Sequence, residues 1–207
     1  MLTYIVFIGI GYASGAVPWA VLIGRYFSKK DVRKVGDGNP GAINAWKTSG
    51  PVTGVVSLFL EVTKAFTPVF VGMSYATKFG EPVSQIGLIL LASAPIIGHA
   101  WSPFLKFKGG KALATTWGSW IAITGGLALP VGCIILGTMH LLQKNHAITV
   151  TTCLLGFLIV FLPMKPDVSI VVFWVLNILI VIFKHKTEYS TGIQLRSWID
   201  RFNRVGN

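Results

Sequence analysis

The chain reads as long apolar runs separated by short connections rich in Gly, Pro and Lys. Residues 1–24 contain no Asp, Glu, Lys or Arg, and further apolar runs cover roughly 51–76, 83–100, 112–142, 147–163 and 168–183. At about 20 residues per crossing, each is long enough or nearly long enough for a helix to span a bilayer. The first run lacks the charged segment that opens a cleavable signal peptide, so it predicts a retained first helix. The run 112–142 is too long for one crossing. Its 31 residues would reach about 46 Å at about 1.5 Å per residue, against a hydrocarbon core of about 30 Å. Gly125, Gly126 and Pro130 near its middle are break signals.

Charge placement decides how that run is divided, because basic residues gather in cytoplasmic loops. Splitting it gives seven crossings. With the N-terminus outside, fifteen cations then lie inside: Arg25, Lys29, Lys30, Arg33, Lys34, Lys47, Lys106, Lys108, Lys111, Lys144, Lys184, Lys186, Arg196, Arg201 and Arg204. Only Lys78 and Lys165 face the other side, whereas six crossings would place the basic tail there. The expected fold is therefore all-α, a polytopic integral membrane protein of about seven helices. Its C-terminus is cytoplasmic, and residues 1–207 form a single membrane-embedded domain. Gly11 and Gly15 give the first helix a small-xxx-small face suited to close helix packing.

Composition narrows the class. With 53% hydrophobic and 12% charged residues, against about 25% charged in a soluble domain, and a mean hydropathy of +0.67, the chain is not a soluble enzyme, a disordered tail or a secreted disulfide scaffold. The partner expected is the lipid bilayer, not nucleic acid. Cys133 and Cys153 fit no metal or redox spacing and read as buried small hydrophobes.

Three polar segments fall on one predicted side of the membrane: 28–50, 101–111 and 184–190. In the first, Gly36, Gly38 and Gly41 allow positive φ angles that turn backbone N–H groups inward as an anion nest, though Asn39, Pro40 and Asn44 are also ordinary turn residues. The formal G-x-G-x-x-G match lacks a βαβ setting, so it is no dinucleotide site. The second sets Lys106, Lys108 and Lys111 around Gly109 and Gly110 just before a span. Backbone donors at that helix start plus three cations suit phosphate, and anionic lipid heads are the alternative. His99 ends the third span beside this turn, and His185 follows the last span with Glu188 close behind. His140 and His146 flank Lys144 in a short connection where no chemistry is expected. Glu61 and Lys64, spaced i, i+3 in the second span, are either functional intramembrane charges or a structural ion pair. The tail with Trp198, Arg201, Phe202 and Arg204 reads as a membrane-surface helix.

Together, KVGDGNPGAIN at 34–44, GHAWSPFLKFKGGKALAT at 98–115 and HKTE at 185–188 resemble the bacterial PlsY family of acyl-phosphate:glycerol-3-phosphate acyltransferases, in order and spacing over nearly the whole chain. The resemblance implies a seven-helix enzyme of the bacterial cytoplasmic membrane with its motifs on the cytoplasmic side. Its substrates would be acyl phosphate and glycerol 3-phosphate, its product lysophosphatidate, and it would need no cofactor or metal. Carried over by position, Asn39, Asn44, Lys111 and His185 are the expected catalytic residues, with Asp37 a candidate proton acceptor. Gly36, Gly38, Gly41, Lys47, Glu61, Lys64, His99, Lys106, Lys108, Gly109, Gly110 and Glu188 are expected to bind substrate. The chain departs from the family pattern at Asp37 for Ser, Ile43 for Thr, Lys47 for Arg, Ala65 and Ala112 for Gly, Glu61 for Asp and Glu188 for Asn. A carboxylate at 37 would repel an anion placed against it, and Lys cannot reproduce the two-pronged grip of Arg. The competing readings are a divergent or inactive paralogue with a changed substrate, and an anionic-lipid or phosphate carrier.

Overall fold

The computed structural model describes residues 2–79, 84–164 and 166–198; Lys165, Arg201, Phe202 and Arg204 lie outside them. These residues form α1 (Leu2–Ala16), α2 (Trp19–Ser28), α3 (Ala42–Ser49), α4 (Pro51–Lys78), α5 (Gln85–Ala100), α6 (Leu113–Ile123), α7 (Ala128–Leu142), α8 (His146–Met164) and α9 (Val168–Lys184), with no strand among them. The stretches Tyr4–Ser28, Pro51–Lys78, Gln85–Leu105 and His146–Met164 are long and apolar enough to cross a membrane, and Ala128–Leu142 and Val168–Lys184 are shorter apolar helices. Large apolar side chains such as Phe59, Ile134 and Ile159 face outward, as lipid contact requires. Cys133, expected to be buried, belongs to that outward face, while Cys153 is buried.

The first span is not one helix as expected. It breaks at Val17 and Pro18, because Pro18 has no N–H to continue the ladder. In lipid the freed backbone groups need partners, and remote side chains supply them. Lys64 Nζ donates to the Val17 carbonyl at 2.6 Å, Ser102 Oγ to the Ala16 carbonyl at 2.6 Å, and Glu61 Oε1 accepts the Ala20 N–H at 3.1 Å. The cation thus meets the C-terminal end of α1 and the carboxylate the N-terminal end of α2, the signs their dipoles favour. Gly15 makes this possible by close approach: a Cβ there would sit 2.2 Å from the Pro95 carbonyl oxygen of α5.

The run 112–142 is a helical hairpin. Gly125 and Gly126 take φ of 61° and 97°, and Pro130 falls in the first turn of α7, where a missing N–H costs nothing. Lys111 at one end and Asn145 just past the other both meet Glu188, so the chain leaves one end of the bundle and returns to it. The pairs α4/α5 and α8/α9 do the same, which gathers the polar connections at one end. Between the pairs, Trp120 is fully buried against Phe157, Phe161 and Phe173. Its Nε1 donates to Asn177 Oδ1 at 3.0 Å, and Asn177 Nδ2 donates to Thr116 at 2.8 Å, so this apolar core leaves neither polar group unpaired.

Candidate active site

The first connection is folded by its own side chains. Asp31 accepts the Arg33 N–H and pairs with the Arg33 and Arg25 guanidinium groups at 2.6 and 3.1 Å, which hold its carboxyl well below the usual range. Beyond it, Gly36 and Gly38 take φ of 63° and 74°, and a Cβ on Gly36 would collide with Asn44 Oδ1 at 2.5 Å. The turn then closes on buried Asn44, whose Nδ2 donates to Asp37 Oδ1 at 2.8 Å and to the Asn39 carbonyl at 2.9 Å. Asp37 Oδ1 also accepts the Asn39 N–H at 3.1 Å. Gly41 precedes α3, and Lys47 lies on that helix with its Nζ 3.4 Å from where a Gly36 Cβ would be.

The second connection is packed under the first. Gly110 N–H donates to the His99 carbonyl at 3.1 Å, and a Cβ at Gly110 would meet His99 Nε2 at 2.3 Å, so only glycine lets the turn lie on the imidazole. Asn39 Oδ1 accepts the Lys111 N–H at 3.1 Å, which fixes where that side chain starts. Lys111 Nζ then bonds both Asp37 Oδ2 and Glu188 Oε1, a cation clasped between carboxylates from two other connections. Lys106 and Lys108 are exposed, and the Lys106 backbone, together with that of Phe107, is in the left-handed region. Ala112 is also held there, at φ 61°, a conformation that costs a non-glycine residue about 1–2 kcal/mol.

The third connection is stationed by a residue that sequence reasoning passed over. Asn145 Nδ2 donates to the Glu188 carbonyl at 2.9 Å, to Thr191 Oγ1 at 3.0 Å and to the Gly192 carbonyl at 2.8 Å, and its Oδ1 caps α8 at Ile148. Its signal was present: an Asn just ahead of a long apolar run is a helix start. Glu188 N–H donates to the His185 carbonyl at 2.8 Å. Lys184 reaches the Gly109 carbonyl at 3.4 Å while its ammonium lies over the Trp101 ring. His146, where no chemistry was expected, has its ring centroid 6.1 Å from that of His185.

Electrostatics follow this geometry. Partial burial works to raise the Asp37 carboxyl, but Lys111, the Asn39 N–H and the Asn44 amide outweigh it and bring it down to about 2. Burial works against the Lys111 ammonium, and Asp37 and Glu188 more than offset this, so its pKa is raised. Burial holds the fully enclosed His185 imidazole below the ordinary histidine range, with Glu188, Lys111 and Asp37 as its charged neighbours.

Asp37, Asn39, Asn44, Lys111, Glu188 and His185 therefore gather at one place, shaped by Gly36, Gly38, Gly41, Gly109 and Gly110. Glu61 and Lys64 do not join them. They form a separate buried set with His99, in which Glu61 Oε2 lies 2.5 Å from Lys64 Nζ and 3.0 Å from His99 Nδ1. His99, on whose imidazole Gly110 lies, touches both groups.

A family model described as Glycerol-3-phosphate acyltransferase matches residues 5–194. A glycerol-3-phosphate acyltransferase of Staphylococcus carnosus is 34% identical over 185 residues, covering 86% of this chain and 89% of its own. Glycerol-3-phosphate acyltransferase 1 of Thermotoga maritima is 34% identical over 203 residues, covering 90% and 97%. Among solved structures, PlsY (YgiH), an integral membrane glycerol 3-phosphate acyltransferase, superposes with a TM-score of 0.75 in its glycerol 3-phosphate form and 0.76 in its lysophosphatidic acid form. The sequence identities are 23% and 24%, over 90% of each chain.

Proposed function

The chain belongs to the glycerol-3-phosphate acyltransferase family, and on that premise we propose that it moves a fatty acyl group from an acyl phosphate to the 1-hydroxyl of glycerol 3-phosphate. The product is lysophosphatidate, the setting the bacterial cytoplasmic membrane, with the three connections on the cytoplasmic side. The observation that carries this reading is Lys111. Its backbone is fixed by one connection, and its ammonium is held by carboxylates that substrate phosphate can displace.

An acyl phosphate is already a mixed anhydride, so the reaction requires no covalent enzyme nucleophile. What remains is to bring hydroxyl and carbonyl together and to stabilise charge on the departing phosphate. When phosphate binds it takes the Lys111 ammonium from one of its two carboxylates, with Lys47 and Lys184 beside the same turns. Asn39 and Asn44 are committed to the backbone and to Asp37, so they hold the turn in the shape that receives the head group. Asp37 at about 2 is too weak a base to take the hydroxyl proton, and its oxygens are already engaged. His185 suits that role: its Nδ1 is 2.8 Å from the Val181 carbonyl oxygen and its Nε2 is buried without a partner. Because a carbonyl only accepts, Nδ1 carries the hydrogen, and Nε2 keeps a lone pair for the acceptor hydroxyl.

The test is incubation of the purified protein with palmitoyl phosphate and radiolabelled glycerol 3-phosphate, followed by lipid extraction, with other phosphorylated polyols alongside. Labelled lysophosphatidate is expected. Phosphate or lipid movement across vesicles with no acylated product from any acceptor would overturn the reading.

A further inference from the structure

A cation beside the site lacks an anion. Lys184 ends α9 half-buried, with its Nζ 3.4 Å from the Gly109 carbonyl oxygen and 5.2 Å from the centroid of the Trp101 ring. That ring lies 6.1 Å from the ring of Phe183, over which the exposed Lys186 places its own Nζ at 5.4 Å. Among the described residues no carboxylate pairs with either ammonium. A ring face and the end of a helix offer only partial negative charge, so a partly desolvated ammonium there favours an anion. Lys111, by contrast, is already held between Asp37 and Glu188. The Gly109–Gly110 turn separates the two lysines: Lys184 meets the Gly109 carbonyl, and Lys111 follows Gly110 with its N–H on Asn39. Their surroundings differ as well. Lys111 lies among polar connections, whereas Phe183 is 54% exposed on the outside of the bundle, and Ile97 and Leu179 are exposed there too. The four-residue spacing puts Ile97 under Trp101 and Leu179 under Phe183, so an apolar strip leads from the two ammonium groups along α5 and α9 into the lipid region.

We propose that Lys184, beside the Trp101 and Phe183 rings, receives the phosphate of the acyl phosphate from the lipid side, while Lys111 receives that of glycerol 3-phosphate from the loop side. This rests on the acyl-transfer reading above. The two substrates differ in the same property as the two lysines. Glycerol 3-phosphate is water-soluble and competes with carboxylates for a clasped cation. Acyl phosphate carries a chain that stays among lipid tails, so its phosphate arrives at the membrane interface, the level at which aromatic rings collect, and its chain lies on the strip of Ile97 and Leu179. An ammonium has three donors; the Gly109 carbonyl takes one and leaves two for phosphate oxygens. Lys186 over Phe183 adds a second positive charge at the rim. The two head groups then flank the Gly109–Gly110 turn, which keeps two anions apart while each meets a cation of its own.

The test is steady-state kinetics of the full chain in phosphatidylcholine vesicles, with palmitoyl phosphate and glycerol 3-phosphate varied in turn, for wild type, Lys184→Gln and Lys184→Arg. Lys184→Gln should raise KM for palmitoyl phosphate on the order of ten- to a hundredfold and leave KM for glycerol 3-phosphate unchanged. Lys184→Arg keeps the charge and the stacking on Trp101 and should stay close to wild type. An unchanged KM for palmitoyl phosphate in Lys184→Gln, an equal rise for both substrates, or an arginine variant as impaired as the glutamine one overturns the assignment. So does activation by phosphatidylglycerol that Lys184→Gln loses while its KM for palmitoyl phosphate stays at the wild-type value, since the lysine would then hold a lipid head group. In wild type, hexadecyl phosphate, which has no acyl group to transfer, should shield Lys184 from reductive methylation and glycerol 3-phosphate should not; the reverse pattern overturns the assignment whether or not the variants fold. Wild type that makes no lysophosphatidate overturns the acyl-transfer reading instead, and the shielding still reads the lysine, so the two failures are separable.

Discussion

Two clusters built from the same ingredients lie on either side of the Gly109–Gly110 turn. Glu61, Lys64 and His99 are buried, and the charged pair reaches into a broken helix to satisfy the Ala20 N–H and the Val17 carbonyl. Asp37, Glu188, Lys111 and His185 sit among three connections. There Asp37 is about half exposed, and Glu188 Oε2 and His185 Nε2 lack partners. In the first set Glu61 and Lys64 are spent on each other, on His99 and on the backbone of the broken helix, and removing either exposes a backbone group that lipid cannot hydrate. The second keeps acceptors free and holds its cation with groups an anion can replace. A lysine between carboxylates is thus a fastener or a receptor according to what else its partners must hold.

The largest effects should separate the two lysines. Lys64→Ala leaves a buried carboxylate without its cation and should cost about 3–5 kcal/mol of stability, read as a lowered Tm in detergent. Lys111→Ala should leave Tm close to wild type and lower kcat by on the order of 100- to 1,000-fold. A Lys111→Ala protein that unfolds while Lys64→Ala stays stable would erase the distinction.

The clasp itself should give a smaller effect. Asp37→Ser removes one competitor for the Lys111 ammonium and should lower KM for glycerol 3-phosphate about two- to fivefold, the scale of a half-exposed ion pair. A raised KM in steady-state assays would mean that Asp37 contacts substrate directly.

The pH profile sharpens the same contrast. Asp37, brought down to about 2, stays ionised throughout the assay range and adds no acid limb. The stability its pairing contributes is present above the ordinary aspartate value and is lost only as pH falls through about 2. His185 has a lowered value, so it is neutral at pH 7, and protonation costs the folded state stability once pH drops below about 6.5. The kcat/KM profile should therefore be flat down to about 6.5 and fall only below it; a limb beginning higher would contradict an enclosed neutral imidazole.

An effect of similar size is expected at Ala112. Ala112→Gly should relieve the left-handed backbone there and raise stability by about 1 kcal/mol, seen as a modest rise in Tm. No rise would mean that the turn is not strained.

The helical runs and the hairpin break at Gly125 and Gly126 were legible in the sequence because apolar length and glycine punctuation are local signals. The break at Val17 and Pro18 was not, since its flanks are apolar and its partners come from α4 and from Ser102. Asp37, Lys111, His185 and Glu188 were readable as residue types, but their meeting depends on three helix pairs returning to one end. Lys106 and Lys108 looked equivalent to Lys111 along the chain, but they are exposed while Lys111 is held between Asp37 and Glu188. Asn145 was overlooked because its connection carries no glycine motif, whereas His146 was noticed there and expected to do no chemistry.

The most direct measurement is lysine labelling by an amine-acylating reagent in the folded protein, read by mass spectrometry with and without glycerol 3-phosphate. Lys111 should label more slowly than the exposed Lys106 in the free protein and be protected further by the substrate, while Lys64 labels only after unfolding. Labelling of Lys111 that glycerol 3-phosphate leaves unchanged, or protection that falls on Lys64 instead, would contradict the assignment of these two lysines.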